Sequence, residues 1–483
     1  MNGKQIKNLF PSLHVYGNTE VPIKNIQIDS RKIKKEDLFV AIKGITFDSH
    51  KKIKEAITKG AIGIVTEKSI KYSPDMLIIE TDDSRKTYAL LSSAFFGFPS
   101  RKLKLIGITG TSGKTTTSYL LYKLFNNIGI KSGFIGTIGE GIGDKFVRKD
   151  SFPPTTPDAF PLNRFLHKAV KENVKYVFME VSSFAILHHR IEGLTFYNKI
   201  LTFLGEDHLD IHKTLENYIQ TKVSFFDNYK GKIFLNADTP FYEKFKKISI
   251  NPVLFGIINK ANYKAFVEKI GIEETKFILQ YNDKKKASFS LNMCGEFNLY
   301  NFLAVSAFAI EEGINLCALQ KFAKDIPTIP GRMNIIKTKK GIIIVDFAHN
   351  PAEIKRVLSF LNNIKKGHII TVIGAVGGST EKKSREIGKI ASALSDFVII
   401  TTDDPRNDDP KKIAINVKKG ASNNTKIILD RKTAIKTAIK TMQNNDIIAL
   451  LGRGHENEIH YKNKTVYLND SEYAKEVLND NQD

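Results

Sequence analysis

The chain has 483 residues, of which 42% are hydrophobic, so it is too long for one ordinary core and predicts two to four domains. Its formal net charge at pH 7 is +22, which suits phosphate-bearing ligands. The lysines are spread along the whole chain without an arginine-rich arm, however, and this distribution disfavours nucleic-acid binding. Two cysteines without metal spacing exclude a disulfide framework, and the lack of any 18-residue apolar run predicts a soluble cytoplasmic protein without a membrane partner.

Residues 1 to about 90 are predicted to form a small N-terminal α/β domain. Polar turns and one short helix near residues 52–59 separate strand-like runs at 26–28, 38–42, 62–65 and 77–79. Asp29, Ser30 and Arg31 follow the first of these runs. Their side chains could hold a phosphate or a base edge, but spacing alone favours an ordinary capped turn.

From about residue 91 to residue 328 the pattern alternates strand and helix, which predicts a central parallel sheet with flanking helices. We expect strands at 103–108, 132–136, 175–180, 198–202 and 232–235. Ligands of such sheets bind beyond the carboxyl ends of the strands. The loops after 108, 180 and 202 should therefore meet at the site, together with a proline-stiffened connector at 152–157.

A glycine-rich turn follows the first of these strands and opens a helical run at about residue 114. Gly110 and Gly113 would let backbone N–H groups surround an anion, Lys114 would lie beside a β- or γ-phosphate, and Thr115 would offer a hydroxyl to Mg²⁺. The fit to the usual phosphate loop is imperfect, because Ile108 stands where the first glycine belongs. The alternative is a strand-to-helix turn without a ligand.

Three further residues of this domain could take part in chemistry. Glu180 ends a predicted buried strand, where a carboxylate is costly unless it meets a metal or a cation. With His208 and Thr115 it could complete a Mg²⁺ site, although single histidines are more often structural. Lys222 lies on the apolar side of a helical run, as either a snorkelling stem or a desolvated amine able to capture CO₂, and the sequence does not decide between them.

Residues 325–332 contain two prolines and a glycine and are predicted to be a linker to a C-terminal doubly wound α/β domain at 329–483. We expect its strands near 342–346, 368–373, 397–401, 425–428 and 446–451. Two loops follow strands of this domain. In one, Arg406 could bind a carboxylate bidentately, with an ordinary acidic turn as the alternative. In the other, Glu456 could receive an ammonium group.

Taken together and in order, these motifs resemble the Mur ligase family, and within it the enzymes that add the third residue of the peptidoglycan stem peptide. The match extends over nearly the whole chain, and its segments are residues 29–31, 107–117, 155–158, 179–183, 207–210, 218–222, 295–301, 331–333, 345–349, 403–406 and 452–456. The resemblance implies three domains, for a UDP-sugar, for ATP and for an amino acid. It implies ATP-dependent addition of meso-diaminopimelate to the γ-carboxylate of UDP-MurNAc-L-Ala-D-Glu through an acyl phosphate, by a cytoplasmic enzyme that we expect to be monomeric.

The resemblance also implies roles for individual residues. The UDP-MurNAc-dipeptide would be bound by Ser30, Thr155, Thr156, Ser182, His188 and Arg190. ATP would be bound by Gly110, Thr111, Ser112, Gly113, Lys114, Thr115, Thr116, Asn301, Arg332 and Asp346. The amino acid would be bound by Ser379, Asp403, Asp404, Pro405, Arg406, Gly452 and Glu456. The catalytic group would be Lys114, Glu180, His208 and Lys222, with a carbamylated Lys222, Thr115, Glu180 and His208 holding Mg²⁺.

The chain differs from the family pattern at five positions. Asp404 replaces the usual asparagine of the amino-acid loop, and Ser379 replaces an arginine. His188 replaces glutamine, Phe184 replaces histidine and Phe203 replaces asparagine. The first two changes bear on the choice of amino acid, where Arg406 favours diaminopimelate over lysine, because lysine has no second carboxylate. Within the family, the alternative is the same reaction with L-lysine. Two more remote hypotheses are a nucleic-acid-stimulated P-loop ATPase, suggested by the net charge, and a homologue that binds ligands without turnover.

Overall fold

A computed structural model describes residues 1–44, 47–70, 74–147, 154–282 and 284–480. Within these residues the chain forms three successive sheets of five, eleven and six strands, and one two-stranded hairpin. The first two residues of the expected connector at 152–157 lie outside the described residues. Among the described residues, no helix has both the length and the apolar character that a membrane crossing requires.

The first sheet has the strand order β1-β5-β4-β3-β2, and all its pairs are parallel except β1 with β5. The strands are His14–Gly17 (β1), Asn25–Gln27 (β2), Asp37–Val40 (β3), Gly63–Thr66 (β4) and Leu77–Glu80 (β5). The helices are Gly3–Leu9 (α1), Ile53–Thr58 (α2) and Ser84–Phe95 (α3). The four predicted strands and the short helix are confirmed. Asp29 caps the turn Ser30–Lys32 by accepting a hydrogen bond from the Arg31 N–H, as expected for an ordinary capped turn.

The second sheet has a parallel middle, in the order β7-β10-β6-β11-β12-β13-β14, as the alternating pattern predicts. Its strands are Lys104–Thr109 (β6), Ser132–Gly136 (β7), Gly139–Ile142 (β8), Lys145–Val147 (β9), Tyr176–Glu180 (β10), Asn198–Leu201 (β11), Lys232–Asn236 (β12), Val253–Gly256 (β13), Tyr263–Ile270 (β14), Thr275–Tyr281 (β15) and Lys285–Leu291 (β16). The antiparallel extensions β8-β9 and β15-β16 were not expected. Their connections are too short for a parallel crossover.

Helices cover both faces of this sheet. They are Lys114–Asn127 (α4), Ala159–Lys171 (α5), Ser183–Leu187 (α6), Leu209–His212 (α7), Leu215–Ser224 (α8), Tyr242–Ile248 (α9), Glu296–Glu311 (α10) and Leu316–Lys324 (α11). α4 and α10 pack on one face in a largely aromatic core, and α5 and α8 pack on the other. This burial on both faces explains why the central strands are almost continuously apolar.

The third sheet has the order β17-β18-β22-β19-β20-β21 and is parallel except for β17. Its strands are Asn334–Lys337 (β17), Gly341–Asp346 (β18), Ile369–Ile373 (β19), Phe397–Ile400 (β20), Thr425–Ile427 (β21) and Asp446–Leu451 (β22), followed by the hairpin Glu458–Tyr461 (β23) and Lys464–Tyr467 (β24). The helices are Pro351–Ile364 (α12), Glu381–Leu394 (α13), Pro410–Gly420 (α14), Arg431–Thr441 (α15) and Asp470–Asp480 (α16). Buried clusters lie on both faces, so the doubly wound prediction is confirmed, with all five expected strands.

Residues 325–332, predicted to be a linker, are packed rather than free. Ile326 and Ile329 belong to the buried core of the second sheet. Gly331 has φ +66°, its carbonyl accepts a hydrogen bond from the Phe347 N–H at 2.9 Å, and an added Cβ would lie 2.1 Å from the backbone nitrogen of His455. The segment therefore packs both on the core of the second sheet and on the loops that follow β18 and β22 of the third sheet.

Candidate active site

The loop between β6 and α4 forms a tight turn that requires glycine. Gly110 has φ +154°, and a Cβ added there would lie 2.1 Å from the Thr202 hydroxyl. Gly113 has φ +91°, and a Cβ added there would lie 2.3 Å from the Asn301 amide oxygen. Lys114 Nζ donates to the carbonyls of Gly110 and Thr111 at 2.9 and 2.8 Å. The loop thus has the shape of a phosphate cradle that begins after Ile108, which is buried inside β6.

Glu180 lies at the carboxyl end of β10 with its carboxylate directed at the start of α4. It accepts hydrogen bonds from the Thr115 hydroxyl at 2.9 Å, from the Thr137 hydroxyl at 3.0 Å and from the Thr137 N–H at 2.8 Å. Burial raises the pKa of Glu180. This set of oxygens fits Mg²⁺, which prefers hard oxygen ligands and completes its shell with phosphates and water. Thr137 was missed by sequence reasoning, although it follows β7 at the same sheet edge.

Lys222 is buried under the phosphate loop. Its Nζ donates to the Gly110 carbonyl at 3.0 Å and to the Thr109 hydroxyl at 3.3 Å, and the residue is 1% exposed. Burial, followed by the charge of Lys114, lowers the pKa of Lys222 well below its usual value. The structure therefore shows the desolvated amine rather than a snorkelling stem.

His208 has a left-handed backbone, φ 54°, and its Nε2 lies 3.7 Å from a carboxylate oxygen of Asp207. Burial lowers the pKa of His208. Among the described residues, no cluster of three or more His, Cys, Asp or Glu side chains could hold a metal ion. A metal here would thus depend on Thr115, Glu180 and the ligands that substrates bring.

A cleft of about 610 Å³ brings together residues from the second part of the chain, at 111–208, and from the third part, at 332–460. The expected site residues that line it are Thr111, Ser112, Gly113, Lys114, Thr115, Thr116, Thr155, Glu180, Arg190, His208, Arg332 and Glu456. Arg190 is held by Asp158 at 2.7 Å and donates to the Thr156 carbonyl at 2.8 Å. The phosphate loop and the loop of Glu456, which are far apart in sequence, thus face the same space.

Several residues expected to bind the UDP-MurNAc-dipeptide lie outside this cleft. Ser30 is buried and donates to Glu55 at 3.3 Å. Thr156 donates to the Glu180 carbonyl at 2.8 Å, and Ser182 caps α6. The rings of His188 and Phe184 lie 4.0 Å apart, so two of the changed positions contact each other. Burial lowers the pKa of His188 to about 4.

A second cavity, of about 530 Å³, opens from the other side of the phosphate loop. Asn301, Arg332 and Asp346 line it, as expected for the adenosine end of ATP. Aromatic rings supply much of the remaining wall: Phe203, Phe255, Phe297, Tyr300 and Phe360. Arg356 also lines it, with its guanidinium 4.3 Å from the ring centroid of Phe203. The sequence analysis named Phe203 as a changed position but missed Arg356, because the sequence does not show which side chain packs on Phe203.

The loops expected to bind the amino acid are partly buried behind the cleft. Asp403 is buried, and neither carboxylate oxygen has a hydrogen-bond partner among the described residues. Gly452 passes so close that an added Cβ would lie 2.1 Å from that carboxylate. Burial, followed by the charge of Asp403, raises the pKa of Glu456 to about 8.

Of the other residues in this group, Arg406 is paired with Asp404 at 3.1 Å, and Pro405 lies between them. Ser379 donates its N–H to the Val376 carbonyl at 3.2 Å and is not in the lining of either cavity. The structure thus brings Glu456 to the phosphate loop but does not bring Ser379 there.

Three family models match successive parts of the chain: "Mur ligase family, catalytic domain" at residues 22–92, "Mur ligase middle domain" at 108–309, and "Mur ligase, glutamate ligase domain" at 331–454. The chain belongs to the Mur ligase family. It is an ATP-dependent ligase that uses ATP with Mg²⁺. The resemblance seen in the sequence is therefore confirmed.

Named relatives match this chain over nearly its full length. The UDP-N-acetylmuramoyl-L-alanyl-D-glutamate–2,6-diaminopimelate ligase of Clostridium botulinum (strain ATCC 19397 / Type A) is 36% identical and covers 94% of this chain and 95% of its own. The ligase of the same name from Aquifex aeolicus (strain VF5) is 35% identical and covers 94% of both chains. A solved structure of an enzyme of that name aligns with a TM-score of 0.67 at 25% identity, covering 96% of both chains.

Proposed function

We propose that this Mur ligase joins meso-diaminopimelate to the γ-carboxylate of D-glutamate in UDP-MurNAc-L-Ala-D-Glu at the expense of ATP. The named relatives at 34–36% identity support this reaction. The observation that carries it is that the phosphate loop and Glu456 line one cleft, because the reaction must bring a phosphorylated carboxyl group to an amine. The enzyme acts in the cytoplasm as a monomer and does not require nucleic acid.

The substrates occupy three regions, which we assign to domains at 1–90, 91–328 and 329–483. The UDP-sugar lies on the first domain, with Arg190 and Thr155 directing its peptide into the cleft. The adenosine of ATP lies in the 530 Å³ cavity, and its phosphates reach Lys114 across the glycine-rich loop. Diaminopimelate approaches from the third domain.

The chemistry begins with transfer of the γ-phosphoryl group to the D-glutamate carboxylate, which gives an acyl phosphate. Lys114 leaves the loop carbonyls and neutralises the developing charge on the phosphoryl oxygens. Mg²⁺, when bound by Thr115 and Glu180, supplies further charge neutralisation. Burial lowers the pKa of Lys222 and so favours the uncharged amine that reacts with CO₂, and the resulting carbamate would give His208 and Glu180 an additional anionic neighbour. The amine of diaminopimelate then attacks the acyl carbon and phosphate departs.

Arg406 is the residue that favours diaminopimelate over lysine. Asp404 holds its Nε at 3.1 Å, and the two terminal nitrogens form the fork that binds a carboxylate bidentately. Glu456, beside the phosphate loop in the cleft, is placed to receive an ammonium group. A diamino acid with a second carboxylate uses both residues, whereas lysine uses only Glu456.

The test is to measure ADP release with UDP-MurNAc-L-Ala-D-Glu, ATP and a mixture of diaminopimelate and lysine, with mass analysis of the product. We expect ADP release that requires the nucleotide sugar, and a product that contains diaminopimelate. Arg406→Ala should reduce diaminopimelate use by about 10- to 100-fold and change lysine use little, because it removes a charge-assisted pair. ADP release without the nucleotide sugar, or a lysine product from the mixture, would contradict the proposal.

A further inference from the structure

Asp404, one of the positions that differ from the family pattern, joins the loop after β20 to the strand β23. The residue is buried, and one carboxylate oxygen accepts from the His460 N–H at 2.7 Å and from His460 Nδ1 at 3.1 Å. The other oxygen accepts from Arg406 Nε at 3.1 Å. The Arg406 N–H in turn donates to the His460 carbonyl at 2.8 Å. His460 is therefore fixed to the amino-acid loop by both its backbone and its ring.

The three partners of Asp404 explain why an aspartate stands here. All three are donors, and a carboxylate offers two acceptor oxygens, whereas an asparagine amide offers one oxygen and would direct its own N–H groups at a donor. Two carboxylates flank the ring, but Asp404 forms a hydrogen bond with Nδ1 at 3.1 Å whereas Glu458 lies 3.4 Å from Nε2, so Asp404 favours the histidine tautomer that carries its proton on Nδ1. The Nε2 atom of His460 is then the basic nitrogen.

His460 faces the cleft where the acyl phosphate forms. Glu458 and His460 lie on the same face of β23, because alternate residues of a strand point the same way, and both line the cleft with Lys114 and Glu456. His460 Nε2 lies 3.4 Å from a carboxylate oxygen of Glu458. Charged groups near the ring include Asp404 from the loop after β20 and Glu458 on its own strand, and Arg406 is bound to Asp404. Across the hairpin, His460 pairs with Thr465, which does not ionise.

A proton must leave the acceptor before the amide can form. At neutral pH the amine of a diamino acid is an ammonium group, which has no lone pair for attack. A histidine is suited to accept this proton, since its ordinary pKa lies near the working pH. None of the residues assigned above to the metal or to ATP has this task.

We propose that His460, held in one tautomer by Asp404, accepts the proton that the incoming amine loses, with Asp404 as its positioning residue. This inference rests on the proposed function. One proton passes from the ammonium nitrogen to Nε2, and the freed lone pair forms the C–N bond to the acyl carbon. The C–O bond to the phosphate then breaks, its electron pair stays on the departing phosphate, and that phosphate takes the excess proton from the new amide nitrogen. His460 returns its proton to solvent.

The test compares two acceptors in the His460→Gln variant. Diaminopimelate must lose a proton, whereas hydroxylamine is largely unprotonated at neutral pH and traps the acyl phosphate as a hydroxamate. With ATP and UDP-MurNAc-L-Ala-D-Glu at about pH 7, we expect kcat/KM for diaminopimelate to fall by about 100-fold or more, while hydroxamate formation stays within about twofold of wild type. Asp404→Asn should show the same pattern to a smaller degree, because it releases the tautomer.

The pH dependence separates proton transfer from a merely structural role. At about pH 9.5 a larger share of the acceptor amine arrives unprotonated, so the deficit of His460→Gln should shrink. The matched control is His368→Gln, at a histidine whose side chain is 68% exposed, and it should change neither acceptor. A deficit equal at both pH values, or equal for both acceptors, would overturn the assignment to His460. Absence of hydroxamate formation in the wild-type enzyme would instead reject the proposed function.

Discussion

At the scale of single residues, the nucleotide site keeps two ionisable groups away from water in the free protein. Burial raises the pKa of Glu180 and lowers that of Lys222, so both shifts disfavour the charged form. The charged state of Glu180 is thus costly until a cation arrives. A buried carboxylate of this kind reduces the stability of the free protein and favours binding of a cation, a combination that recurs in active sites.

Glu180→Gln should therefore separate stability from activity. Glutamine keeps an acceptor for the Thr137 N–H, and the hydroxyls of Thr115 and Thr137 can reverse their hydrogen bonds. Because the folded pKa of Glu180 is raised, its contribution to stability is complete below the unfolded pKa, about 4.3, and is lost as pH rises through the folded pKa. We expect the thermal midpoint of the variant relative to wild type to increase from about pH 5 to about pH 8, and ADP release to fall by at least about 100-fold.

Calorimetric or fluorescence melting curves of both proteins without nucleotide check this expectation. A midpoint difference that stays constant or decreases with pH would show that the buried carboxylate does not destabilise the wild-type protein as pH rises. Thr137→Ser is the matched control, because it keeps both hydrogen bonds to Glu180 and should leave the pH trend of wild type unchanged.

At the scale of elements, α12 and its N-cap residue dock the third sheet onto the second through three residues spaced at i, i+3 and i+6. Asn350 donates to Asp207 at 3.1 Å, Glu353 accepts from the Ser112 hydroxyl at 3.2 Å, and Arg356 covers Phe203. Residues with this spacing share one helix face. The nucleotide cavity therefore has one wall that belongs to α12.

Arg356→Gln should weaken ATP binding more than it weakens binding of the other substrates. The guanidinium over Phe203 corresponds to a cation–π contact worth about 0.5–2 kcal/mol, or about 2- to 30-fold in affinity. We expect KM for ATP to rise by that factor, with KM for diaminopimelate unchanged, in steady-state assays that vary one substrate at a time. Phe203→Leu should give a similar rise, and the double variant should raise KM for ATP no more than either single variant does. Lys355→Gln, at the exposed neighbouring position, is the control, and additive effects of the two variants would contradict the pairing.

The same helix shows what the sequence could and could not predict. Apolar periodicity identifies Ile354, Val357 and Leu358 as the side of α12 that packs on its own sheet, and the order of strands and helices follows from such patterns. Periodicity does not tell which polar side chain crosses to another sheet. Arg356, Thr137 and His460 were missed for this reason, since each acquires its place only from long-range packing. Phosphate-loop residues were predicted because their roles depend on local backbone geometry.

At the scale of the whole molecule, one backbone contact couples the ATP site to the amino-acid site. Gly331 lies against Gly454 and His455, at the start of the loop that carries Glu456. The next residue, Arg332, donates to the Thr115 hydroxyl at 3.3 Å and lies over the ring of Phe347 at 4.8 Å. A displacement of either loop is therefore transmitted to the other.

Gly331→Ala should disturb both sites at once and leave the UDP-sugar site intact. The left-handed φ of +66° costs a non-glycine residue about 1 kcal/mol, and the added Cβ, 2.1 Å from the His455 nitrogen, must push the two loops apart. We expect KM for ATP and KM for diaminopimelate to rise together, by about 5-fold or more, with KM for the nucleotide sugar unchanged. The matched control is Gly313→Ala, where φ is +80° but nothing lies within 4 Å of the added Cβ. It should reduce the thermal midpoint without changing any KM, and a rise in only one of the two KM values of Gly331→Ala would show that the loops move independently.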